Sequence, residues 1–343
     1  MKQAQVIKPG LIRFDEVDEL TTQQLKDNEI LLKIETIGVC GGDIHVMHGQ
    51  HPFVTYPVIQ GHEYGARVVA VGKSVKKVKA GDKATARPQL VCGTCAPCKK
   101  GRWNVCKNLR VQGFQAPGAA QPFFIVHEER LIKVDDSLSF DDIAFIEPCA
   151  VGAHATSKPD TLNGMNVVVT GAGPIGNLVA QFAKARGAKK VLITDISDLR
   201  LKKANDCGIE FTVNVSKEEF THAVQRVFGD ESFQVGFEVS AAQQCITDLV
   251  RNIEKGSEII IVGVFAKPAF VDLAIVDEHE ISVIGSMMYF HEDFELAAQW
   301  LKEGKINIKP LVTQHFSFDE YAEAYKFIDE NREKCMKVII NIP

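Results

Sequence analysis

The spacing of hydrophobic and polar positions changes along the chain, and each pattern predicts a different kind of structure. Up to about residue 150, short apolar stretches at 30–39, 63–72 and 123–134 are interrupted by Gly and Pro. This pattern is typical of a small, loop-rich β domain. From about 165 to 285, β-branched runs alternate with amphipathic segments, which predicts buried parallel strands joined by helices.

The second region begins with two strands and a helix between them. The helix is predicted from apolar residues spaced to form one face, namely Ile175, Leu178, Val179, Phe182 and Ala183. The predicted strands are 166–170, 191–195, 234–240, 258–264 and 281–286. After them, helices at 294–306 and 318–331 precede a strand at 336–342 that could return to the first domain.

Composition and charge narrow the class of protein. The chain has 343 residues, 45% apolar, with 39 Lys and Arg against 44 Asp and Glu and a net charge of −5. We expect two globular domains and no nucleic-acid or membrane partner. We also expect a cytoplasmic protein, since the N-terminus lacks a signal pattern. Nine cysteines, an odd number, do not form a disulfide framework in that compartment.

Three glycines mark a dinucleotide site. Gly171, Gly173 and Gly176 form G-x-G-x-x-G where a predicted strand meets a helix. Asp195, nineteen residues beyond Gly176, ends the next strand and could accept hydrogen bonds from both ribose hydroxyls. Its charge would repel a 2′-phosphate, which favours NAD over NADP. The alternatives to a nicotinamide dinucleotide site are an ordinary βαβ turn and a flavin site. The Arg200 side chain either lies against the adenine ring or is solvated.

Two sets of residues suggest metal sites of different kinds. Cys92, Cys95, Cys98 and Cys106 have the spacing C-x2-C-x2-C-x7-C, which suits a closed structural zinc site; an iron–sulfur cluster is the alternative. The scattered Cys40, His62, Glu63 and Glu147 offer thiolate, imidazole and carboxylate ligands and could leave a position open for substrate. Each of these four also has an ordinary interpretation, as a buried cysteine, a core histidine or a solvated carboxylate.

The motifs together resemble a known family. GVCGGDIH, GHEYGARVVAVG, the four-cysteine segment, EPCAVGAHA and GAGPIG occur in the order found in the zinc-dependent medium-chain alcohol dehydrogenases, most like the sorbitol (polyol) dehydrogenase branch. The resemblance implies an α/β protein with a GroES-like catalytic domain, a Rossmann domain, two zinc ions and NAD, assembled as a homodimer or homotetramer. The implied limits are 1–152, with the zinc lobe at 92–106, then 153–287 for the Rossmann domain and 288–343 for a C-terminal return.

The resemblance also assigns roles to individual residues. Cys40 and His62 would ligate the catalytic zinc, with Glu63 and Glu147 as direct or alternating ligands. Asp43 would support the metal site and His45 would lie near the exit of a proton relay. We expect the cofactor site to include, beyond the residues above, Pro174, Ile175, Val262 and Gly263.

Two positions depart from the family pattern. The residue two positions after the zinc cysteine is usually Ser or Thr, whose hydroxyl passes the substrate proton on; here it is Gly42. Water, another group such as Glu63 or Thr55, or a larger substrate could replace that hydroxyl, and our hypothesis is a water-mediated relay in a widened pocket. Met288 stands where polyol dehydrogenases have an arginine that faces sugar hydroxyls, while Tyr289 is retained.

The predicted activity is oxidation of a secondary alcohol of a polyol or a sugar acid, such as an aldonate, by hydride transfer to NAD. A threonine- or butanediol-type dehydrogenase on the same fold is the alternative enzyme. A catalytically silent zinc- and NAD-binding regulator is a hypothesis of another class, favoured only by Gly42. The open set of metal ligands argues against it.

Overall fold

The computed structural model describes residues 1–343, which form seventeen strands and eleven α-helices together with single 3-10 turns. The strands are β1 (Lys2–Lys8), β2 (Leu11–Glu16), β3 (Glu29–Gly38), β4 (Glu63–Val71), β5 (Lys83–Ala86), β6 (Gln89–Leu90), β7 (Arg110–Val111), β8 (Phe123–His127), β9 (Leu131–Lys133), β10 (Asn166–Thr170), β11 (Lys190–Asp195), β12 (Phe211–Asn214), β13 (Val235–Glu238), β14 (Glu258–Ile261), β15 (Ser282–Gly285), β16 (Val312–Ser317) and β17 (Lys337–Asn341). The helices are α1 (Gly41–Met47), α2 (Ala96–Lys99), α3 (Phe140–Ala144), α4 (Ile146–Ala155), α5 (Pro174–Ala185), α6 (Asp198–Asp206), α7 (Phe220–Phe228), α8 (Gln243–Asn252), α9 (Leu273–Glu278), α10 (His291–Lys302) and α11 (Tyr321–Glu330).

The chain divides into two units. The first contains Met1–Glu147, Phe290–Lys302 and Val312–Pro343, and the second contains Pro148–Tyr289 and Glu303–Leu311. These limits differ from the expected ones in three respects. The first segment of the first unit ends five residues before 152, and the second unit continues two residues past 287, to Tyr289. The segment 303–311 belongs to the second unit rather than to the C-terminal return.

A six-stranded parallel sheet forms the centre of the second unit. Its strand order is β12-β11-β10-β13-β14-β15, so the chain starts in the middle at β10 and reverses direction between β10 and β13. Ligands of such sheets bind at the carboxyl ends of the strands where the order reverses. The sheet confirms the predicted parallel arrangement, although β12 was not predicted. That strand has only four residues, and three of them are only half-buried.

Alternate residues of the central strand face opposite sides of this sheet. Val167 and Val169 pack in one apolar cluster with helix α5, whereas Val168 packs in another with α7 and α8. All three side chains are fully buried. Because helices cover both faces, the strands are apolar throughout, which is why their sequence shows continuous rather than alternating hydrophobicity.

Strand β3 organises the first unit. It pairs antiparallel with β4 along most of its length, with β8 at 29–33 and with β17 at 36–38. Its side chains Ile30, Leu32 and Ile34 are fully buried in the apolar core. This mixed seven-stranded sheet confirms the β-rich first part of the chain predicted from the sequence.

The C-terminal segment completes the same core. Tyr321 and Tyr325 of α11 are buried in it, together with Val338 and Ile340 of β17. Since β17 hydrogen-bonds to β3 immediately before α1, the end of the chain lies next to the segment that carries Cys40. None of the helices is both long and apolar enough to cross a membrane.

Candidate active site and metal centres

Cys40 lies at the start of a short helix that holds its thiol in place. It is the N-cap of α1, and its Sγ accepts a hydrogen bond from the Gly42 N–H at 3.4 Å. Asp43 returns the contact, since its Oδ2 accepts from the Cys40 N–H at 3.0 Å. Burial, together with the charge of Glu63, raises the pKa of the Cys40 thiol above its ordinary value. A thiolate is therefore favoured here only beside a cation such as a metal ion.

His62 and Glu63, at the start of β4, lie close to this thiol. The ligand atoms of Cys40, His62 and Glu63 all lie within 4.8 Å of one another. Both His62 and Glu63 are buried. One thiolate, one imidazole and one carboxylate are a ligand set that zinc accepts, and three protein ligands leave a fourth position for a substrate oxygen. The residues present fit a catalytic zinc ion.

Asp43 faces the His62 ring, and Gln60 holds Asp43. Asp43 Oδ1 lies 3.7 Å from His62 Nδ1, and Gln60 Nε2 donates to the Asp43 carbonyl at 3.0 Å. With Nδ1 facing this carboxylate, the second ring nitrogen is available to a metal. Burial opposes the charged imidazole, but the charge of Asp43 and the contact with Cys40 raise the pKa of His62 well above its ordinary value.

A buried lysine that sequence reasoning missed neutralises Glu63. Lys337 Nζ lies 2.8 and 2.7 Å from the two carboxylate oxygens of Glu63 and donates to the Val39 carbonyl at 3.1 Å. Burial opposes the charge of Lys337, but Glu63 raises its pKa above the ordinary value, so it stays protonated. A Cβ atom at Gly38 would lie 2.4 Å from Glu63 Oε2, so this pair also requires a glycine in β3.

Glu147 and His45 are the remaining candidate residues of this site. Glu147 is buried in α4. Its charge raises the pKa of both His62 and Lys337. His45 is exposed on α1, with Nδ1 3.2 Å from Gln50 Oε1. That position suits a group that passes protons to solvent.

The structure corrects the expectation of a widened pocket at Gly42. A Cβ atom there would lie 2.9 Å from Cζ of Phe114, so a phenyl ring lies against the position that a side chain of residue 42 would take. The ring stacks on His51 at a centroid distance of 4.6 Å and lies against His62 at 4.9 Å. Sequence reasoning missed Phe114 because nothing in the pattern around it relates it to Gly42.

The four clustered cysteines form the second group of possible metal ligands, and the fit is close. Their ligand atoms lie within 4.8 Å of one another, and the Sγ–Sγ distances include 3.4, 3.5 and 3.9 Å. Four sulfurs each 2.3 Å from one zinc ion would be about 3.8 Å apart. Backbone N–H groups of Cys92 and Asn108 also donate to Cys106 Sγ at 3.4 Å. Such a closed thiolate site holds a loop and has no open position for substrate.

The glycine motif of the second unit has the geometry that a dinucleotide requires. Gly171 has φ +97°, and a Cβ at Gly176 would lie 1.7 Å from the Gly171 carbonyl, so neither position accepts another residue. Gly173 is the N-cap of α5, Pro174 begins the helix, and no atom lies within 4 Å of a Cβ placed at Gly173. Open space at a helix N-terminus fits a pyrophosphate. Ile175 is half-buried at the next position.

Asp195 ends β11 beside this loop. Its Oδ2 accepts from the Ala172 N–H at 2.7 Å, and its Oδ1 accepts from Ile196 and Ser197 at 2.8 and 2.9 Å. These bonds fix the carboxylate next to the glycine motif. Arg200 Nη1 lies 3.9 Å from Asp195 Oδ2 and the arginine side chain is partly exposed, so the structure gives it a contact with the carboxylate rather than full solvation.

A buried glutamate supports the remaining expected cofactor residues. The N–H groups of Val262 and Gly263 donate to the Glu238 carbonyl at 2.8 and 2.9 Å. The Glu238 side chain accepts from Ser240, whose atoms lie 3.1 Å from a Cβ placed at Gly171. Sequence reasoning missed Glu238, whose only signal was a charged residue within a continuous apolar run.

The segment with Met288 and Tyr289 combines an unusual backbone conformation with a buried ring. Met288 adopts a positive φ of 49°, which is unusual for a residue with a side chain. Tyr289 is 1% exposed.

Comparison with known proteins places both halves of the chain in known families. Residues 26–136 match the family described as "Alcohol dehydrogenase GroES-like domain". Residues 174–303 match the family described as "Zinc-binding dehydrogenase". The two matches together span more than half of the chain.

Similar proteins act on different alcohols. The chain is 30% identical to sorbitol dehydrogenase 1 of Saccharomyces cerevisiae, over 94% of each protein. It is also 30% identical to L-threonine 3-dehydrogenase of Escherichia coli, over 90% of this chain and 91% of that one. Among solved structures, galactitol-1-phosphate dehydrogenase from Escherichia coli superposes with a TM-score of 0.91 at 28% identity, covering 99% of this chain and 100% of that chain.

The Lys337 contact generates a prediction about stability. Replacing Lys337 by Met leaves a buried carboxylate without its partner, and we expect the free energy of unfolding of the first unit to fall by about 3–5 kcal/mol. Urea denaturation followed by tryptophan fluorescence measures this, since Trp103 and Trp300 both lie in the first unit. The control is Lys2→Met, which breaks the exposed pair with Asp319 and should change little. Equal stability of the two variants would contradict the role given to Lys337.

Proposed function

Because the chain belongs to the zinc-dependent medium-chain alcohol dehydrogenases, we propose that it oxidises a secondary alcohol of a polyol or sugar acid, such as an aldonate, with NAD. The observation that carries the proposal is the group of Cys40, His62 and Glu63 in the first unit. It combines a ligand set suited to zinc with a free fourth position. The glycine motif and Asp195 supply a dinucleotide site in the same chain.

Each residue of the site has a separate role in the proposed reaction. Zinc in this group would polarise the substrate hydroxyl and lower its pKa, and NAD would accept the hydride. Cys40 and His62 would hold the metal, and the Asp43 carboxylate faces Nδ1 of the His62 ring at 3.7 Å. Lys337 balances the charge of Glu63 and would compete with the metal for the Glu63 oxygens. This competition would allow the ligand in the fourth position of the metal to be exchanged for substrate. Glu147 is a second carboxylate near these ligands and would bind the metal directly or in alternation with Glu63. The exposed His45 passes the proton to solvent.

The class of substrate is proposed from the substrates named for similar proteins and from the residue at position 288. Sorbitol and galactitol 1-phosphate, named for two of the similar proteins, are both polyols. Met288 brings no charge where polyol dehydrogenases have arginine, so we propose a substrate related to but distinct from sorbitol. Threonine is the second candidate, because a threonine dehydrogenase is equally similar in sequence.

NAD rather than NADP is proposed as the cofactor on electrostatic grounds. The Asp195 carboxylate is held by three backbone N–H groups beside the glycine motif, so it cannot turn away from a ribose bound there. A 2′-phosphate at that position would face a fixed negative charge. The only cation close to this carboxylate is Arg200, at 3.9 Å.

We also propose that the protein is a homodimer or homotetramer. Strand β15 ends the six-stranded sheet, so one of its edges has no strand partner. Large apolar side chains are exposed on this strand and in the chain segments before and after it, namely Val283, Met287, Leu273 and Phe270. An unpaired edge with exposed apolar residues favours association with another copy.

A substrate panel tests the proposed activity. Polyols, aldonates, threonine and butanediol are each incubated with NAD and with NADP, and reduced cofactor is followed by absorbance. We expect activity on a polyol or an aldonate with NAD. Activity on threonine alone would move the assignment to the second candidate. No activity in the whole panel, despite bound zinc, would favour a silent regulator.

The cofactor preference is tested by Asp195→Asn, which removes the charge and keeps the size. We expect the ratio of kcat/KM with NAD to that with NADP to fall about 10- to 100-fold, as an interaction of about 1.4–2.8 kcal/mol requires. Asp198→Asn is the control, because that carboxylate is exposed in the same segment and bonds instead to Asn214 and Lys217. An unchanged ratio in the Asp195 variant would rule out its role in cofactor choice.

The two metal groups are distinguished by removing one ligand. Cys106→Ser should lower the zinc content from two ions per chain to one, because only the four-cysteine group contains this sulfur. Elemental analysis measures the content. The control is Cys207→Ser, a half-buried cysteine outside both groups, which should retain both ions. Full zinc content in Cys106→Ser would contradict the proposed structural site.

A further inference from the structure

The space beside Gly42 is closed by an aromatic ring rather than open. A Cβ at this position would lie 2.9 Å from Phe114 Cζ and 3.5 Å from Cε1. The backbone of Gly42 is not in the left-handed region, so its conformation would accept any residue. The glycine is therefore required for room alone, and Phe114 is what takes up that room.

Phe114 is half-buried, and its backbone and ring contact several neighbours. The preceding Gly113 has φ +87°, and a Cβ there would lie 3.2 Å from His62 Nδ1, so this turn fits tightly against the histidine. The Phe114 N–H donates to the Val111 carbonyl at 3.1 Å. Its ring is stacked on His51, with planes 21° apart, and tilted against His62 at 47°. A displaced ring would disturb a candidate metal ligand.

We propose that Gly42 and Phe114 interlock, so that the phenyl ring fills the volume beside the metal ligands and the substrate proton leaves by a path that excludes residue 42. The packing part of this proposal stands on the geometry alone. The proton part rests on the proposed function. It is an alternative to the water-mediated relay expected from the sequence, because the ring lies against the position that a side chain of residue 42 would take.

Two consequences follow for the site. A phenyl ring offers neither a hydrogen-bond donor nor an acceptor of ordinary strength, so a substrate group in contact with it would be apolar. Moreover, the Gly42 N–H donates to Cys40 Sγ at 3.4 Å. A side chain forced in at residue 42 would shift this N–H as well as the ring, and so would weaken the hold of Cys40 on a metal.

The chain supplies a matched control for testing this. Gly41 lies in the same first turn of α1, and a Cβ there would have no atom within 4 Å. The experiment compares Gly42→Ser and Gly41→Ser, each with and without Phe114→Ala, in the zinc-loaded full chain. The readouts are the rate of zinc transfer to a chromophoric chelator, the thermal unfolding midpoint, and kcat/KM across pH.

We expect Gly42→Ser to speed zinc loss and to lower kcat/KM by about tenfold or more, since overpacking displaces neighbours. Adding Phe114→Ala should bring zinc loss back to within about threefold of the Phe114→Ala parent, because the space is then available. Gly41→Ser should match the original protein in both backgrounds. The zinc held by the four cysteines should be released at one rate throughout and serves as an internal reference.

Other results would overturn the proposal. If Gly42→Ser raised kcat at neutral pH and left zinc release unchanged, residue 42 would be part of the relay and the interlock would be wrong. If Gly42→Ser were harmful to the same degree with Phe114→Ala present, the ring would not be the obstacle. If no variant formed reduced cofactor, the proposed function would fail, whereas zinc release and unfolding would still test the interlock.

Discussion

The buried ion pair between Lys337 and Glu63 is the interaction on which the candidate site depends. It joins residues 274 positions apart and brings the last strand of the chain to the start of β4. A carboxylate buried without a cation would be expensive, and a lysine buried without an anion equally so. Each charge is tolerated because the other is present, and β17 holds the lysine in place by pairing with β3.

This ion pair also sets the net charge of the region around the candidate metal ligands. Cys40, Glu63 and the nearby Asp43 and Glu147 bring several negative charges to a buried region, and Lys337 is the buried cation that faces them. A divalent metal ion would supply most of the remaining positive charge.

The packing around these ligands also limits which residues can stand next to them. Gly38 makes room for Glu63, Gly113 for His62 and Gly42 for Phe114. Three glycines thus decide where a ligand or its neighbour can lie.

In the dinucleotide site, on the parallel sheet, a buried carboxylate and a glycine that makes room for a neighbour again determine the geometry. The carboxylate of Asp195 is fixed by backbone N–H groups, and Glu238 supports the turn at Ser240 that lies against Gly171. Ala241, in that turn, has a positive φ of 57°. A strained turn of this kind persists only where neighbouring hydrogen bonds hold it. Here the buried Glu238 side chain provides them.

Much of this protein was determined by the sequence alone. Continuous apolar runs predicted the parallel sheet, because strands covered on both faces need apolar side chains at every position. Short spacings predicted the four-cysteine group and the glycine motif, because their residues are neighbours along the chain and local geometry is sufficient to place them. The open metal group was suggested by the ligand chemistry of scattered residues and assigned by family resemblance, because residues as far apart as Cys40 and His62 have no informative spacing.

Only the tertiary structure decided the contacts between distant residues. Lys337 in KVIIN has the pattern of an ordinary strand residue, and nothing local to it indicates a partner in β4. Phe114 is one of 20 phenylalanines, and its contact with Gly42 depends on how a turn packs against a helix. Sequence patterns record the periodicity and chemistry of neighbours, whereas steric exclusion and charge pairing act through space. Which group lies beside the metal ligands, whether a hydroxyl, a water or a phenyl ring, depends on these interactions through space and could not be predicted from the sequence pattern.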